Sequence, residues 1–383
     1  MRQRFRHIAR WLLTPWGATV LIMIAWFALS IPDLRHGTMG GPDMNVIVER
    51  LEEDHSAAAV LSWFTGPWVQ SDDYYRPLVS VLHWADFMLW GDDGWGFGLT
   101  NALIIAATFP ALTWLCAEGF GYPWAGPVAA AALTRFEPAA DMIHWPAWRT
   151  DALCGLFLLL ATAAALVWLR EGRRRSLFVA LAMLLLALLS KETALVWSAF
   201  AALMVLLMAR NRRGLILLGA AFALTGAFWL MRISLLDHPL LGQVPQHVNF
   251  STQRQLQCLL HIAFEPVYGD ITATYPSFAG QSMWWAVADL WHAVARDAMF
   301  IAANALIAVA SLKLLGVLWS WRIITYLPSL PFAGLWDFYY YIPTLGTALL
   351  YAVAAVVLLQ LAEPRVRQWR GERSDNDDPS EEN

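Results

Sequence analysis

Two uninterrupted apolar runs constrain this chain more than any other feature of its sequence. Residues 11–31 and 152–169 each provide about the twenty apolar residues that a helix needs to cross a bilayer core. Hydrophobic residues make up 58% of the sequence and charged residues 15%, whereas a soluble domain has roughly 25% charged residues. The sequence therefore predicts an all-α polytopic membrane protein.

Similar runs recur along the chain and predict about ten transmembrane helices. Three of them, 122–136, 176–190 and 315–330, are short, which implies a locally thinned bilayer or helices that stop at a cavity. The predicted spans are 11–31, 97–117, 122–136, 149–169, 176–190, 193–209, 213–233, 293–313, 315–330 and 338–361.

Clusters of arginine orient these helices. One cluster precedes the first span, and others lie in 170–175, 210–213 and 363–373, after spans four, six and ten. With ten spans, all four clusters fall on one side, which the positive-inside rule makes cytoplasmic. The expected protein is therefore multi-pass in the plasma (inner) membrane, with cytoplasmic N- and C-termini and a first helix that is retained rather than cleaved as a signal peptide.

This orientation divides the chain into a membrane domain, 1–362, and a cytoplasmic tail, 363–383, which is basic and then acidic and has a composition typical of disorder. Two long loops, 32–96 and 234–292, face the non-cytoplasmic side. Residues 44–67 of the first loop predict an amphipathic helix on the membrane surface. Its apolar positions are Val46, Ile47, Leu51, Ala58 and Leu61.

Tryptophan and cysteine set two further bounds. Many of the 22 tryptophans flank apolar runs, as expected for rings at headgroup level. Cys116 and Cys154 lie within apolar runs, and with Cys258 they predict neither a disulfide framework nor a metal site. The chain has no phosphate-cradling glycine loop. The sequence thus indicates no cofactor, no metal and no nucleic-acid partner.

Many ionisable residues gather at the predicted span ends of the non-cytoplasmic face. A charge at membrane depth costs several kcal/mol unless it is paired or faces water. We therefore expect one polar cavity at this boundary, lined from several helices. The residues are Asp43, Glu49, Asp72, Asp73, Arg76, Glu137, Asp141, His144, Arg149, Asp151, Lys191, Glu192, Arg232, Asp237, His238, Arg322 and Asp337.

Some of these residues also have a plainer interpretation. Lys191 and Glu192 would form a snorkelling turn between two helices. Arg149 and Asp151 would form a structural ion pair at the start of span four. Arg76 is different, because Pro77 holds it at a helix start behind two tyrosines, where a guanidinium suits a phosphate.

Four segments, in order along roughly 40–360, resemble the integral-membrane glycosyltransferases of the GT-C superfamily. The similarity is greatest to the transmembrane O-mannosyltransferase group with its YRPL signature. The segments are YYRPLVSVLHWADFMLWG, FEPAADMIHWPAWRTDALCGLFLLLA, LLSKETALVW, and RIITYLPSLPF with YYYIPTLGTALL.

The resemblance implies a multi-pass fold with its active site on the non-cytoplasmic face. It also implies a hexosyl- or mannosyltransferase-like activity that moves a sugar from a polyprenyl-phosphate-linked donor to a protein or glycan acceptor, in protein glycosylation or cell-envelope synthesis. The family's catalytic base is an acidic residue of the first outer loop, which corresponds here to Asp43. The family often has a paired acid at that position, whereas this chain has Pro42, so Asp72 or Asp73 is an alternative base.

The roles expected of other residues follow from the same chemistry. Cations must stabilise the departing phosphate, and polar or aromatic groups must border the sugar or acceptor. The expected phosphate-binding residues are Arg76, Arg149, Lys191 and Arg322. The expected pocket residues are Asp73, Tyr75, His144, Trp148, Asp151, Glu192 and Tyr340.

The late segment departs from the family pattern, because WDFYYYIP stands where relatives commonly have an acidic–arginine pair. A transporter or flippase of lipid-linked saccharides is the alternative function. Transporters usually have internal repeats and place polar sites near the midplane. This sequence shows no repeat, and its ionisable groups gather at one face.

Overall fold

The computed structural model of the chain describes residues 10–36, 41–69, 74–236, 298–329 and 341–369. Within these residues, all regular secondary structure is helical, as the sequence predicts. The α-helices are α1 (Pro15–His36), α2 (Gly41–Glu53), α3 (Ala57–Ser62), α4 (Pro77–Trp90), α5 (Gly94–Trp114), α6 (Ala125–Leu133), α7 (Glu137–His144), α8 (Arg149–Glu171), α9 (Arg174–Ser190), α10 (Trp197–Met208), α11 (Arg212–Leu235), α12 (Ala298–Ala310), α13 (Leu312–Tyr326) and α14 (Tyr341–Trp369).

Four short elements adjoin these helices. A π-helical turn, Leu115–Phe120, continues α5. Two 3-10 turns, Pro146–Trp148 and Glu192–Val196, lead directly into α8 and α10. A further 3-10 turn, Leu327–Ser329, follows α13.

Each of the ten predicted spans overlaps one of these helices. In the part of the chain that the structure describes, five helical stretches are long and apolar enough to cross a membrane. They are Pro15–Pro32, Gly94–Phe120, Pro146–Glu171, Arg212–Leu235 and Tyr341–Glu363. The other five predicted spans correspond to shorter helices, from 17 residues in α9 down to 9 in α6. The tail beyond residue 369 lies outside the described residues.

Local sequence sets several of the helix boundaries. Asp93 caps α5 by accepting a hydrogen bond from the Trp95 amide at 3.0 Å, and Ser311 caps α13 by accepting one from the Leu314 amide at 3.2 Å. Both satisfy amides that a helix start leaves without a partner. Gly172 ends α8 with a φ of 74°, a left-handed conformation that favours glycine, so α9 can begin two residues later.

Helix α8 is the centre of the bundle. Its apolar stretch is 89% buried, compared with 22% for α1 and 28% for α11, which lie at the periphery. It packs against α5, α9, α11 and α14. Close approach is possible because α8 carries small residues, and a side chain at Gly155 would meet Tyr341 and Leu345 of α14 at 3.0 Å.

The two ends of the bundle differ in their charged residues. At one end, Arg213 donates to the Arg170 carbonyl at 2.8 Å, and Arg170 pairs with Glu118 at 3.1 Å. Other arginines at this end are exposed to solvent. We call this the basic end. The opposite end, called the site end, holds the starts of α4, α8 and α14, the ends of α9 and α11, and the turn before α10.

The first loop differs in detail from the predicted single amphipathic helix. The chain forms two helices, α2 and α3, with Ser56 capping the second. The buried face of α2 includes Met44 and Val48, whereas Val46 and Leu61 are exposed. The break at 54–56 interrupts the helical phase, so positions that one continuous helix would align do not share a face.

Candidate functional site

Arg76 lies at the site end as the N-cap of α4, directly before Pro77. Its guanidinium packs against two aromatic rings that contact each other edge to face, 4.8 Å from the Trp68 centroid and 4.4 Å from that of Tyr74. It also forms a bidentate ion pair with Glu192, with Nε 3.0 Å from Oε2 and Nη2 2.5 Å from Oε1. The structure therefore holds this arginine rigidly, as the X-Pro context predicts.

The turn between α9 and α10 supplies two more charges. Lys191 Nζ lies 2.5 Å from Asp151 Oδ2 on the first turn of α8. Arg232, near the end of α11, places Nη1 3.7 Å from Glu192 Oε2. We call Arg76, Asp151, Lys191, Glu192 and Arg232 the charged cluster. It joins the ends of four helices that are distant in sequence.

The charged cluster is mostly shielded and has an excess of positive charge. The side chains of Lys191 and Asp151 are each 4% exposed, whereas that of Glu192 is 22% exposed. Among these residues the three cations outnumber the two carboxylates by one. A shielded site with surplus positive charge favours an anion, because charges interact more strongly away from water.

Arg149 belongs to a separate buried group. Its Nη2 lies 2.5 Å from Asp86 Oδ2 and 3.1 Å from the Phe97 carbonyl, and its Nε donates to Asn101 Oδ1 at 2.8 Å. Thr100 donates to the other Asp86 oxygen at 2.6 Å. We call Asp86, Thr100, Asn101 and Arg149 the buried anchor.

The buried anchor also holds the loop before α8. Asn101 Nδ2 donates to the Met142 carbonyl at 2.7 Å, at the end of α7. Burial raises the pKa of the Asp86 carboxyl, while Arg149 and the Thr100 hydroxyl lower it. The group thus ties α4, α5, α7 and α8 together through polar contacts inside the protein.

Arg149 and Asp151 do not pair with each other, in contrast to one interpretation of the sequence. Each instead has a partner on another helix, Asp86 for Arg149 and Lys191 for Asp151. Two residues apart on a helix, the side chains point about 200° apart. The first turn of α8 is therefore held from both sides.

His83 packs beside the buried anchor on the same face of α4 as Asp86. Its ring is fully buried, 6.1 Å from that of Phe97. Within the described residues, neither ring nitrogen has a hydrogen-bond partner. Burial lowers the pKa of His83 well below its usual range, and the nearby Arg149 charge lowers it further.

His83 is expected to make the fold less stable in acid. An unfolded chain protonates this histidine below about pH 6.5, whereas the native state keeps it neutral, so stability falls as the pH drops below that value. The expected loss is about 1.4 kcal/mol per pH unit. Melting in detergent at pH 7.5 and 5.5 should show a smaller acid shift for His83→Gln than for wild type.

The exposed His144 provides the control for this measurement. His144→Gln should melt with the same acid shift as the wild-type chain, because the His144 side chain is exposed and is not packed inside the protein. An unchanged acid shift in His83→Gln would contradict the expectation.

Other predicted site residues lie in distinct places. Tyr75 is buried, with its hydroxyl donating to the Phe64 carbonyl at 3.0 Å. Trp148 stacks on Trp145 with centroids 5.2 Å apart and planes at 11°, beside the exposed His144. Arg322 lies between α12 and α14, where its guanidinium is within 5 Å of two aromatic rings on α12 and α13.

Several predicted residues fall outside the side chains that the structure describes. Asp73, the alternative Asp72, and Tyr340 lie outside the described residues. The Asp43 backbone lies in the first turn of α2, but its side chain is not described. Helix α2 packs against α4 and against the turn Pro146–Trp148, which brings the helix that carries Asp43 to the start of α8.

The roles assigned from the sequence omit four residues that the structure places in these groups. Arg232 is one, and its position near the end of a predicted span is a signal that was present in the sequence. Asp86, Thr100 and Asn101 are the others, and all three are polar residues within largely apolar helices. Within the described residues, no group of three or more histidine, cysteine, aspartate or glutamate side chains is placed to hold a metal.

A solved structure has a similar arrangement of helices. The fold is similar to that of ArnT. The crystal structure of ArnT from Cupriavidus metallidurans, bound to undecaprenyl phosphate, superposes with a TM-score of 0.51 at 16% identity. The match covers 91% of this chain and 64% of ArnT, so the chain spans less than two thirds of that protein's length. This likeness concerns the fold alone, and it agrees with the predicted all-α polytopic architecture. No protein-family model and no curated protein sequence matches the chain.

Proposed function

We propose that this chain is a membrane glycosyltransferase that moves a sugar from a polyprenyl-phosphate-linked donor to a protein or glycan acceptor. The observation that carries the proposal is the charged cluster at the site end of an ArnT-like fold, with its surplus positive charge. The ArnT structure contains undecaprenyl phosphate, a ligand of the same chemical class as the proposed donor.

The orientation and the sugar belong to the same proposal. The site end faces the non-cytoplasmic side of the plasma (inner) membrane, and both termini are cytoplasmic, because the arginines of the basic end follow the positive-inside rule. The transferred sugar is a hexose, such as the mannose moved by the YRPL group that the sequence resembles.

The charged cluster would stabilise the departing lipid phosphate. Arg76 and Lys191 are proposed to contact it, with Arg232 adding positive charge from α11. Glu192 and Asp151 hold these cations in place through the bonds described above. Preorganised cations are effective here because negative charge develops on the phosphate as the glycosidic bond breaks.

A base must also remove the acceptor hydroxyl proton. Asp43 is proposed for this role, with Asp72 or Asp73 as the alternative. The helix that carries Asp43, α2, packs against the turn before α8, and Asp151 lies on the first turn of α8. Asp73, Tyr75, His144, Trp148 and Tyr340 are proposed to border the sugar or acceptor, and Arg322 remains a further proposed phosphate contact.

A transfer assay tests the proposal directly. Membranes of cells that express the chain should convert radiolabelled polyprenyl-phosphate hexoses into labelled protein or glycan, and purified chain should bind undecaprenyl phosphate. Membranes with a Lys191→Met variant provide the control. This change replaces one cation of the charged cluster with an uncharged side chain, and the protein should still insert into the membrane. Binding and transbilayer movement of the lipid without transfer would instead favour a flippase.

A further inference from the structure

The buried anchor joins two helices that carry members of the charged cluster. Asp86 lies on α4, ten residues after Arg76, and Arg149 lies on α8, two residues before Asp151. Ten helical residues span about 15 Å. Helix α4 is therefore fixed at its start by the Arg76–Glu192 contact and near its end by the Asp86–Arg149 contact.

Arg149 is buried away from any surface that a lipid could reach, although its Nη1 has no hydrogen-bond partner within the described residues. The residue is 0% exposed, and its Nε and Nη2 donate to Asn101, Asp86 and the Phe97 carbonyl. By contrast, the side chain of Arg76 is 10% exposed at the site end. Burial and bonding of this kind suit a residue that sets the position of others.

The first turn of α8 links the Arg149 contact to the charged cluster. Arg149 holds one side of the turn against α4 and α5, so Asp151 points to the other side and meets Lys191. If the Arg149 contact is lost, the first turn of α8 loses one of its two fixed points and can shift, so that Asp151 no longer holds Lys191. Lys191 would then leave its shielded place in the charged cluster.

We propose that Asp86 and Arg149 act as a pair of positioning residues, which set the first turn of α8 so that the charged cluster is assembled for the lipid phosphate. This inference rests on the proposed function for the identity of the ligand, but the positioning itself does not depend on it. Neither residue touches the substrate.

Lysine acylation measures the positioning without any substrate. The sequence has two lysines: Lys191, which is buried, and Lys313, which is exposed and serves as an internal reference. In purified full-length wild-type chain in detergent, an amine-reactive ester should modify Lys313 and spare Lys191. Asp86→Asn and Arg149→Gln should each raise Lys191 modification relative to Lys313 by about tenfold.

The double variant separates a pair from two independent residues. Asp86→Asn with Arg149→Gln should modify Lys191 no faster than either single variant, since each single change already removes the same contact. Thr162→Val is the matched control, because it deletes a buried hydrogen bond from Trp197 Nε1, 3.0 Å long, between α8 and α10. It should leave Lys191 protected even where it lowers the melting temperature equally.

Binding of undecaprenyl phosphate links the positioning to the site. Both single variants should raise its Kd by the same factor, about tenfold, and the double variant should do no more. A Kd raised by Arg149→Gln alone would mean that Arg149 contacts the phosphate itself, and would overturn the proposal. So would a protected Lys191 in both single variants, an exposed Lys191 in Thr162→Val, or an unchanged Kd once Lys191 is exposed.

The two proposals can fail separately. If the wild-type chain neither binds undecaprenyl phosphate nor transfers sugar, the proposed function is wrong. The acylation pattern would still show whether Asp86 and Arg149 position the first turn of α8.

Discussion

An Asp43→Asn variant will transfer sugar about 10²–10⁴ times more slowly than the wild-type chain, while it binds undecaprenyl phosphate equally well. A neutral amide cannot accept the proton of the acceptor hydroxyl, but it is nearly the same size as the carboxylate, so the fold is preserved. The measurement is the initial rate of transfer from a labelled polyprenyl-phosphate hexose, together with the Kd of the lipid phosphate.

Glu53→Gln is the control for this prediction, because Glu53 is an exposed acid on the same helix and its loss should leave the rate unchanged. A normal rate in Asp43→Asn, with loss of transfer in Asp73→Asn, would place the base in the second acidic segment. Loss of lipid binding in Asp43→Asn would show that this carboxylate helps to form the donor site rather than acting as a base.

The second large effect is expected for Arg76→Gln, which should weaken binding of undecaprenyl phosphate by about 30-fold or more. Truncating one member of a buried, hydrogen-bonded charge pair costs about 2–5 kcal/mol. The substitution removes a proposed phosphate contact and also leaves Glu192 with less neutralising charge. The KM for the lipid donor should rise by a similar factor, and the melting temperature should fall.

Two variants separate binding from folding in this experiment. Arg170→Gln breaks a pair at the basic end whose arginine is 48% exposed, and such pairs are worth about 0–1 kcal/mol, so lipid binding should be unaffected. Arg76→Gln with Glu192→Gln also removes the carboxylate that has lost its nearest cation, and should regain stability without regaining binding. Wild-type affinity in Arg76→Gln would contradict a phosphate role for this arginine.

The helices could be predicted from the sequence because each depends on local composition. Runs such as 152–169 read as helices wherever they lie in the fold, and the buried α8 was among the clearest. The break between α2 and α3 was not predicted, because the apolar spacing across 54–56 is compatible with one continuous helix. The Ser56 side chain caps the start of α3, and this local bond outweighs the apolar spacing that favours one helix over the whole segment 44–67.

The candidate site was only partly predictable, for a geometric reason. Charge at a span end indicates that Arg149, Asp151 and Lys191 need partners, but not which partners they find. Asp86 and Arg149 are 63 residues apart, and their contact depends on how α4 and α8 are rotated about their axes. Composition and spacing within one helix carry no information about that rotation.

The hairpin of α9 and α10 has a consequence for the acceptor. Helix α9 has 17 residues and therefore rises about 25 Å, whereas a typical hydrocarbon layer is about 30 Å thick. If the arginines at the start of α9 lie among the headgroups of one leaflet, Lys191 at its other end lies about 5 Å below the headgroups of the opposite leaflet. Under the proposed function, the acceptor hydroxyl would then have to enter the membrane boundary to reach Lys191, which suits a flexible segment or a lipid-linked saccharide better than the surface of a rigid globular domain.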